Sequence, residues 1–187
     1  MKILPTFTEQ NQGICTILIR KDGIDELEHL EEIWNDPEYL LGFFTDQKNN
    51  LANGIYSKYT IREAVLKTIE DSSILFDQLY DIAEKGFTDP NDNLSQLFYP
   101  LHDGDKKQLQ PYEQCKAYGI KIKDGWLRLY AIRIDHNTFV ITGGGIKLVR
   151  TMQEDKLLEE ELQKLKDTQQ YLIENNLFDV DDIVQQS

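Results

Sequence analysis

The stretch that most constrains this chain is 126–142, WLRLYAIRIDHNTFVIT. Two alternating runs rich in β-branched and aromatic residues flank Asp135-His136-Asn137, which has the chemistry of a tight hairpin turn. Two strands alone are marginal in water, so the hairpin must join a larger sheet with an apolar cover. Alternation assigns the faces. Trp126, Arg128, Tyr130, Ile132 and Ile134 share one, and Leu127, Leu129, Ala131 and Arg133 share the other. Leu127, Leu129 and Ala131 read as the side packed under helices, leaving Arg128 and Tyr130 together on the opposite side.

The flanking sequence extends this unit. Lys123-Asp124-Gly125 is a second turn signal, so strands are expected over about 117–123, 126–134, 138–142 and 145–150, paired antiparallel in chain order as a meander. GICTILIR at 13–20 reads as a further strand, and 3–7 as a shorter partner that Pro5 confines to an edge.

Helices fill the remainder. Ile24, Leu27, Leu30, Ile33 and Trp34 fall near helical spacing, with acids between them. Asp36 caps and Pro37 opens the next helix. Thr60-Ile61-Arg62-Glu63 is a capping box for a stripe running to about Lys85, with Asp71-Ser72-Ser73 as a place where it could kink. Residues 87–112 are punctuated by Pro and Gly and read as a surface excursion. Asp155 caps a last helix on Leu158, Leu162, Leu165 and Leu172. The fold class is therefore α+β: a small antiparallel sheet, a meander of three or four strands plus an N-terminal strand, flanked by helices. At 187 residues and 40% apolar composition the chain reads as one domain, with 1–58 packed on the same core.

Charge is unevenly distributed. The chain nets −13, yet 116–150 holds seven basic residues (Lys116, Lys121, Lys123, Arg128, Arg133, Lys147, Arg150) against Asp124 and Asp135. The acidic total disfavours non-specific adhesion to nucleic acid or anionic membrane, while a local anion site stays open. If neighbouring strands bring Lys121 or Lys123, Arg128 and Lys147 onto one surface beside Tyr130, the group suits phosphate, with a ring to stack on a base. Clustered cations can stabilise the phosphorane formed by 2′-OH attack in RNA. The same charges also fit a solvated sheet face that balances an acidic body.

Other motifs are weaker. Gly143-Gly144-Gly145 lacks the Walker pattern and reads either as a turn or bulge between strands or as backbone kept close to a ligand phosphate. His29, His102 and His136 are scattered and show no metal-ligand spacing, so neither metal nor cofactor is expected; His136, beside the basic strands, could assist proton transfer. Glu159-Glu160-Glu161 reads as a wet helix face. MKILPTFTEQNQG has no apolar core of a signal peptide, and no run approaches the ~18 apolar residues of a membrane span. Cys15 and Cys115, without a CxxC, fit reduced, packed thiols and a cytoplasmic setting. No motif points to an unrelated small-molecule enzyme.

The segment WLRLYAIRIDHNTFVITGGGIKLVRTMQED, followed by ELQKL, resembles the RelE/HigB-like toxins of bacterial type II toxin–antitoxin systems, in a longer Bacteroidetes-type variant. The likeness spans about 94–175, within a core region of 60–175. It rests on a strand Arg followed by an aromatic (Arg128, Tyr130), an apolar strand (Phe139 to Ile141), a Gly-X-Lys start (Gly145-Ile146-Lys147) and a helix rich in acids and leucines. The resemblance implies a metal-independent, ribosome-associated mRNA endonuclease blocked by an antitoxin that carries a helix-turn-helix domain. Small homo-oligomers are compatible with it. On that reading the catalytic set is Arg128, Lys147, Tyr130, Lys121 and Lys123, with Arg133, Arg150, Lys116 and His136 contacting RNA. The chain departs from the family in its acidity, its long N-terminal half and the lack of an evident catalytic Tyr or His after the last strand. The alternative is a non-enzymatic binding or regulatory protein of the same fold, acting through a partner protein.

Overall fold

A hairpin opens the chain: β1 (Lys2–Glu9) turns back into β2 (Gln12–Leu18) through Gln10 and Asn11, both at positive φ (47° and 66°). Positive φ at both turn residues matches the right-handed twist of the flanking strands. This computed structural model describes residues 1–101, 111–149 and 156–186. Four helices follow: α1 (Glu26–Asn35), α2 (Pro37–Asp46), α3 (Lys48–Asn53) and α4 (Ile61–Gly86). A 3-10 turn (Leu94–Gln96) leads to β3 (Tyr99–Pro100), β4 (Gln114–Ala117), β5 (Leu127–Asp135) and β6 (Thr138–Ile146). Helices α5 (Lys156–Glu174) and α6 (Val180–Gln186) end the described chain.

The fold is α+β. Among the described residues six strands form one open sheet in the order β1-β2-β6-β5-β4-β3. Strands β3 to β6 pair antiparallel as a meander, and β1 pairs antiparallel with β2. Only β2 and β6 run parallel, because α1 to α4 and the meander lie between them. Residues 1–58 thus supply two strands and three helices to the same sheet and core.

Both sheet faces are covered, which is why β5 and β6 are buried along nearly their whole length. Leu127, Leu129, Ala131, Phe139 and Ile141 pack under α1, α2 and α4 through Leu30, Trp34, Phe44 and Leu79. Tyr130, Ile132, Ile134, Val140, Cys15 and Ile17 pack under α5 and α6 through Leu162, Leu165, Leu172, Val180 and Ile183. Burial raises both thiols, Cys15 to about 12.

Local signals act where the sequence places them. Asp36 Oδ1 accepts the Glu38 and Tyr39 amides at the start of α2. Thr60 and Glu63 close a capping box at the start of α4. Helix α4 runs unbroken through Asp71-Ser72-Ser73, since Ser72 Oγ accepts from Asn35 Nδ2 (3.3 Å) and Asp71 pairs with Lys67 (2.8 Å). At the β5–β6 turn the Asn137 side chain accepts the Leu94 amide and donates to the Ala83 carbonyl. Its carbonyl accepts the Gly13 amide (2.8 Å). A Cβ at Gly86 would meet this side chain at 2.3 Å, so α4 ends there on a glycine.

Three expectations need correction. The strand expected over 117–123 is Gln114–Ala117 instead; Gly119, Lys121 and Asp124 at positive φ turn the chain out of the extended region. The strands expected at 138–142 and 145–150 are one strand, with Thr142 as a bulge opposite Tyr130 and Ala131. Trp126 joins the first core, not the face of Tyr130, and Tyr130 is 1% exposed beneath α5 rather than on an open face. The cap expected at Asp155 lies outside the described residues.

Trp126 anchors the first core at the end of β5. Its ring meets Phe44, Tyr56 and Tyr59 edge-on at centroid distances of 5.7, 5.1 and 5.3 Å. Its buried Nε1–H donates to Thr68 Oγ1 (2.9 Å). Thr68→Val keeps the shape but orphans that donor, so urea unfolding should show a loss of about 1–3 kcal/mol. In a Trp126→Phe background, itself less stable from the cavity it leaves, Thr68→Val should cost less than in the parent, because the donor is then gone too.

Candidate functional site

The basic residues gather at one end of the sheet, in part. Arg128 faces Gly145 in the β5–β6 register, and the Lys147 amide donates to the Trp126 carbonyl (2.8 Å). Arg128 on β5 and Lys147, one residue past the end of β6, therefore lie side by side, within about 8 Å along the diagonal. Lys121 and Lys123 stand exposed in the loop between β4 and β5. Lys116 pairs with Tyr130 and Tyr99 in the ladder, and its Nζ donates to the Leu101 carbonyl (3.0 Å).

An aromatic stack completes this end. Tyr99 and Tyr118 stack at 5.2 Å with 9° between their planes, and both rings are exposed. The Arg128 Cζ sits 5.0 Å over the Tyr118 ring. Arg128 Nη1 also donates to the carbonyls of Gly125 (3.1 Å) and Leu127 (2.7 Å), which orients the guanidinium and ties down the 118–125 loop. A cation above a stacked aromatic pair is a platform for a planar or anionic group.

Other expected residues lie elsewhere. Arg133 and His136 sit at the far end of β5, five and eight residues from Arg128, or roughly 17 Å and more away at strand spacing. Arg133 lies 4.0 Å from Asp135, and His136 Nδ1 is 3.0 Å from the Asp135 carboxylate. Tyr130 lies inside the second core. Arg150 and His102 lie outside the described residues.

A second constellation was not legible in the sequence. Lys164 of α5 reaches Glu26 of α1 (2.6 Å) and Glu161 of its own helix (2.6 Å). The contact crosses the layers at the margin of β6. Strand β2 pairs with β6 only from Gly13–Thr138 to Thr16–Ile141 and then leaves to form α1. Among the described residues nothing pairs with β6 on that side beyond Ile141. The gap is floored by glycines. A Cβ on Gly143 would meet the Glu161 carboxylate at 2.0 Å, and one on Gly145 would meet Leu158 at 2.7 Å. A cavity of about 190 Å³ opens here, lined by Glu26, His29, Trp34, Phe43, Gly144, Gly145, Leu158, Glu161 and Lys164, among others.

The electrostatics follow from one ammonium serving two carboxylates. Burial raises Glu161 to about 7, despite the opposing pull of Lys164 and the Gly144 amide. Burial works against the Lys164 ammonium, but Glu161 and Glu26 outweigh it and its pKa rises. His29 is lowered by burial and by Arg20. The wet-face reading holds for Glu159 and Glu160 but not for Glu161, which turns inward. A signal existed: position 161 is three after Leu158 and four before Leu165, on the buried stripe.

No group of three His, Cys, Asp or Glu among the described residues is placed to hold a metal. No described helix is long and apolar enough to cross a membrane. No family model, curated protein or solved structure matches the chain.

The pH dependence of stability tests the buried cluster. The folded-state pKa of Glu161 is raised from 4.5 to about 7, so folding takes up a proton in that window. The cost of ionising this carboxyl is absent below about pH 4.5, grows as pH rises and is complete above about pH 7. Glu161→Gln removes it. Its stability relative to the parent should rise by on the order of 1–3 kcal/mol between those limits, measured by denaturant unfolding at a series of pH values.

Proposed function

We propose that this chain is a toxin-like, RNA-directed protein of the type II toxin–antitoxin kind, with its contact surface at the Arg128 end of the sheet. The observation that carries the reading is the exposed Tyr99–Tyr118 stack capped by Arg128, with Lys147 just past the end of the neighbouring strand and Lys121 and Lys123 on the adjoining loop. Stacking on aromatic faces takes a base without regard to sequence, and the Arg fork takes a phosphate. In the finer form of the proposal these cations stabilise the phosphorane formed when a ribose 2′-OH attacks its own phosphate. Ring stacking then falls to Tyr99 at the open end of the stack, because Tyr118 is taken up by Tyr99 and Arg128 and Tyr130 is enclosed by the second core. The partners are mRNA on the ribosome and an antitoxin with a helix-turn-helix domain, and the setting is the cytoplasm.

A second reading, a non-enzymatic protein that binds a partner protein, is favoured by one observation. Helix α5 covers β5 on the Tyr130–Ile134 face and α6 covers β1 and β2 beside it, leaving a short surface for a nucleic acid strand. The net charge of −13 also slows approach to RNA.

Growth and cleavage assays separate the two. On the toxin reading, induced expression arrests growth, and Arg128→Ala with Lys147→Ala relieves the arrest and lowers RNA cleavage by about 10²-fold or more. Arg128→Lys keeps the charge but loses the fork, and should fall between. Unimpaired growth at good expression of folded protein, together with a stable complex with a partner protein, would establish the second reading instead.

A further inference from the structure

The cavity at the β6 margin has the composition of a ligand site of its own, one strand across from Arg128, which pairs with the cavity residue Gly145. Its polar lining is Glu26 and His29 from α1, Tyr39 from α2, Glu160, Glu161 and Lys164 from α5, and Arg20 from the segment after β2. Its apolar lining includes Leu30, Ile33, Trp34, Phe43, Ile146 and Leu158. Backbone of Gly144 and Gly145 supplies the floor without side chains.

The charges do not balance. Arg20 is engaged by Asp22 at 2.7 Å. Lys164 is divided between Glu26 and Glu161. Glu160 is exposed and has Lys156 4.0 Å away. The surplus negative charge is therefore shared by Glu26 and Glu161 around the one Lys164 ammonium, with Glu161 Oε2 itself buried against Gly143. A buried carboxylate in surplus is costly until a cation or a proton neutralises it. Burial of Glu161 and its raised proton affinity are consistent with that deficit.

We propose that this cavity binds a small primary amine with a short apolar body, its ammonium completing the Glu26–Lys164–Glu161 cluster and its apolar part lying against Trp34, Phe43 and Leu158. Size agrees with this class. The cavity holds about 190 Å³, and a cavity of about 150 Å³ accepts a benzene ring. A ring with a two-carbon amine arm fits; a nucleotide or a peptide does not. The ammonium donates to the carboxylates, so the class excludes carboxylic acids and phosphates, which the surplus charge repels.

Phenethylamine is the probe, with 2-phenylethanol as the neutral isostere. Binding to the full chain is measured by calorimetry and by amide chemical shifts. The amine should bind with a Kd at or below the millimolar range and at least tenfold more tightly than the alcohol. It should shift amides of 26–34 and 143–146. Glu161→Gln should weaken the amine at least tenfold and leave the alcohol unchanged, while Glu160→Gln should alter amine binding less than threefold. Unfolding of both variants is checked first, and Glu161→Asp stands in if Glu161→Gln does not fold, with a loss of at least threefold expected. The inference is overturned by equal binding of amine and alcohol, by amine binding that survives in the folded Glu161 variant, by shifts confined to other segments, or by no binding at 10 mM amine, about tenfold above a millimolar Kd.

Discussion

Strand β6 is packed from both sides, and the absence of side chains at Gly143, Gly144 and Gly145 is what the rest of the structure depends on. A Cβ at Gly144 would meet Trp34 and Leu30 of α1 at 2.9 Å and the Arg128 carbonyl at 2.6 Å. On the opposite face, Cβ atoms at Gly143 and Gly145 would strike Glu161 and Leu158 of α5. Alternate glycines therefore let one helix descend onto each face of the same strand. The bulge at Thr142 and the φ of 149° at Gly143 adjust the strand for that approach. Because both helices come so close, Lys164 can reach across the margin of the sheet to Glu26. The buried cluster is a consequence of backbone proximity, and so is the cavity beside it.

A second fixed point lies at the other end of β6. Asn137 ties the end of α4, the 3-10 turn and β2 to the β5–β6 hairpin through one side chain and one carbonyl. Each bond satisfies a backbone group that burial would otherwise orphan. The parallel pairing of β2 with β6 starts from this knot and ends four residues later, where β2 departs toward α1. Thr16 is the last residue of β2 paired with β6, and its Oγ1 accepts the Leu27 amide (3.2 Å), so the same short ladder helps position α1. Glu26 is thereby set opposite Lys164.

What could be read from sequence was mostly local. The hairpin at Asp135-His136-Asn137, the Asp36-Pro37 helix start, the Thr60–Glu63 capping box and the inward face of Leu127, Leu129 and Ala131 each depend on residues a few positions apart. The α+β class follows from their sum. What escaped depends on residues far apart. The inward turn of Glu161 needs α5 on β6, and the burial of Tyr130 needs α5 over β5. The 118–125 loop misled for another reason: Ile120 and Ile122 alternate like a strand, but Gly119, Lys121 and Asp124 take positive φ, and Gln78 binds the Ile120 backbone through both amide and carbonyl. The glycines kept two readings in sequence, turn or bulge and backbone near a ligand; the bulge is present, and its neighbours are helices.

Two charged regions of opposite sense thus lie one strand apart at the same end of one sheet, and their environments give them different chemistry. At the Arg128 end the cations are exposed or half-buried and sit in high dielectric. Their action on an anion there is screened within about 8–10 Å at ordinary salt, so aromatic stacking must supply the short-range part. At the β6 margin the Lys164 and Glu161 side chains are only 21% and 14% exposed. Screening by salt is weak there, and one unbalanced carboxylate matters more than several surface lysines. The overall charge of −13 describes neither place. Glu161 is set by the three or four groups it touches. Local solvation, more than composition, decides which charges act on a ligand and which only keep the surface wet.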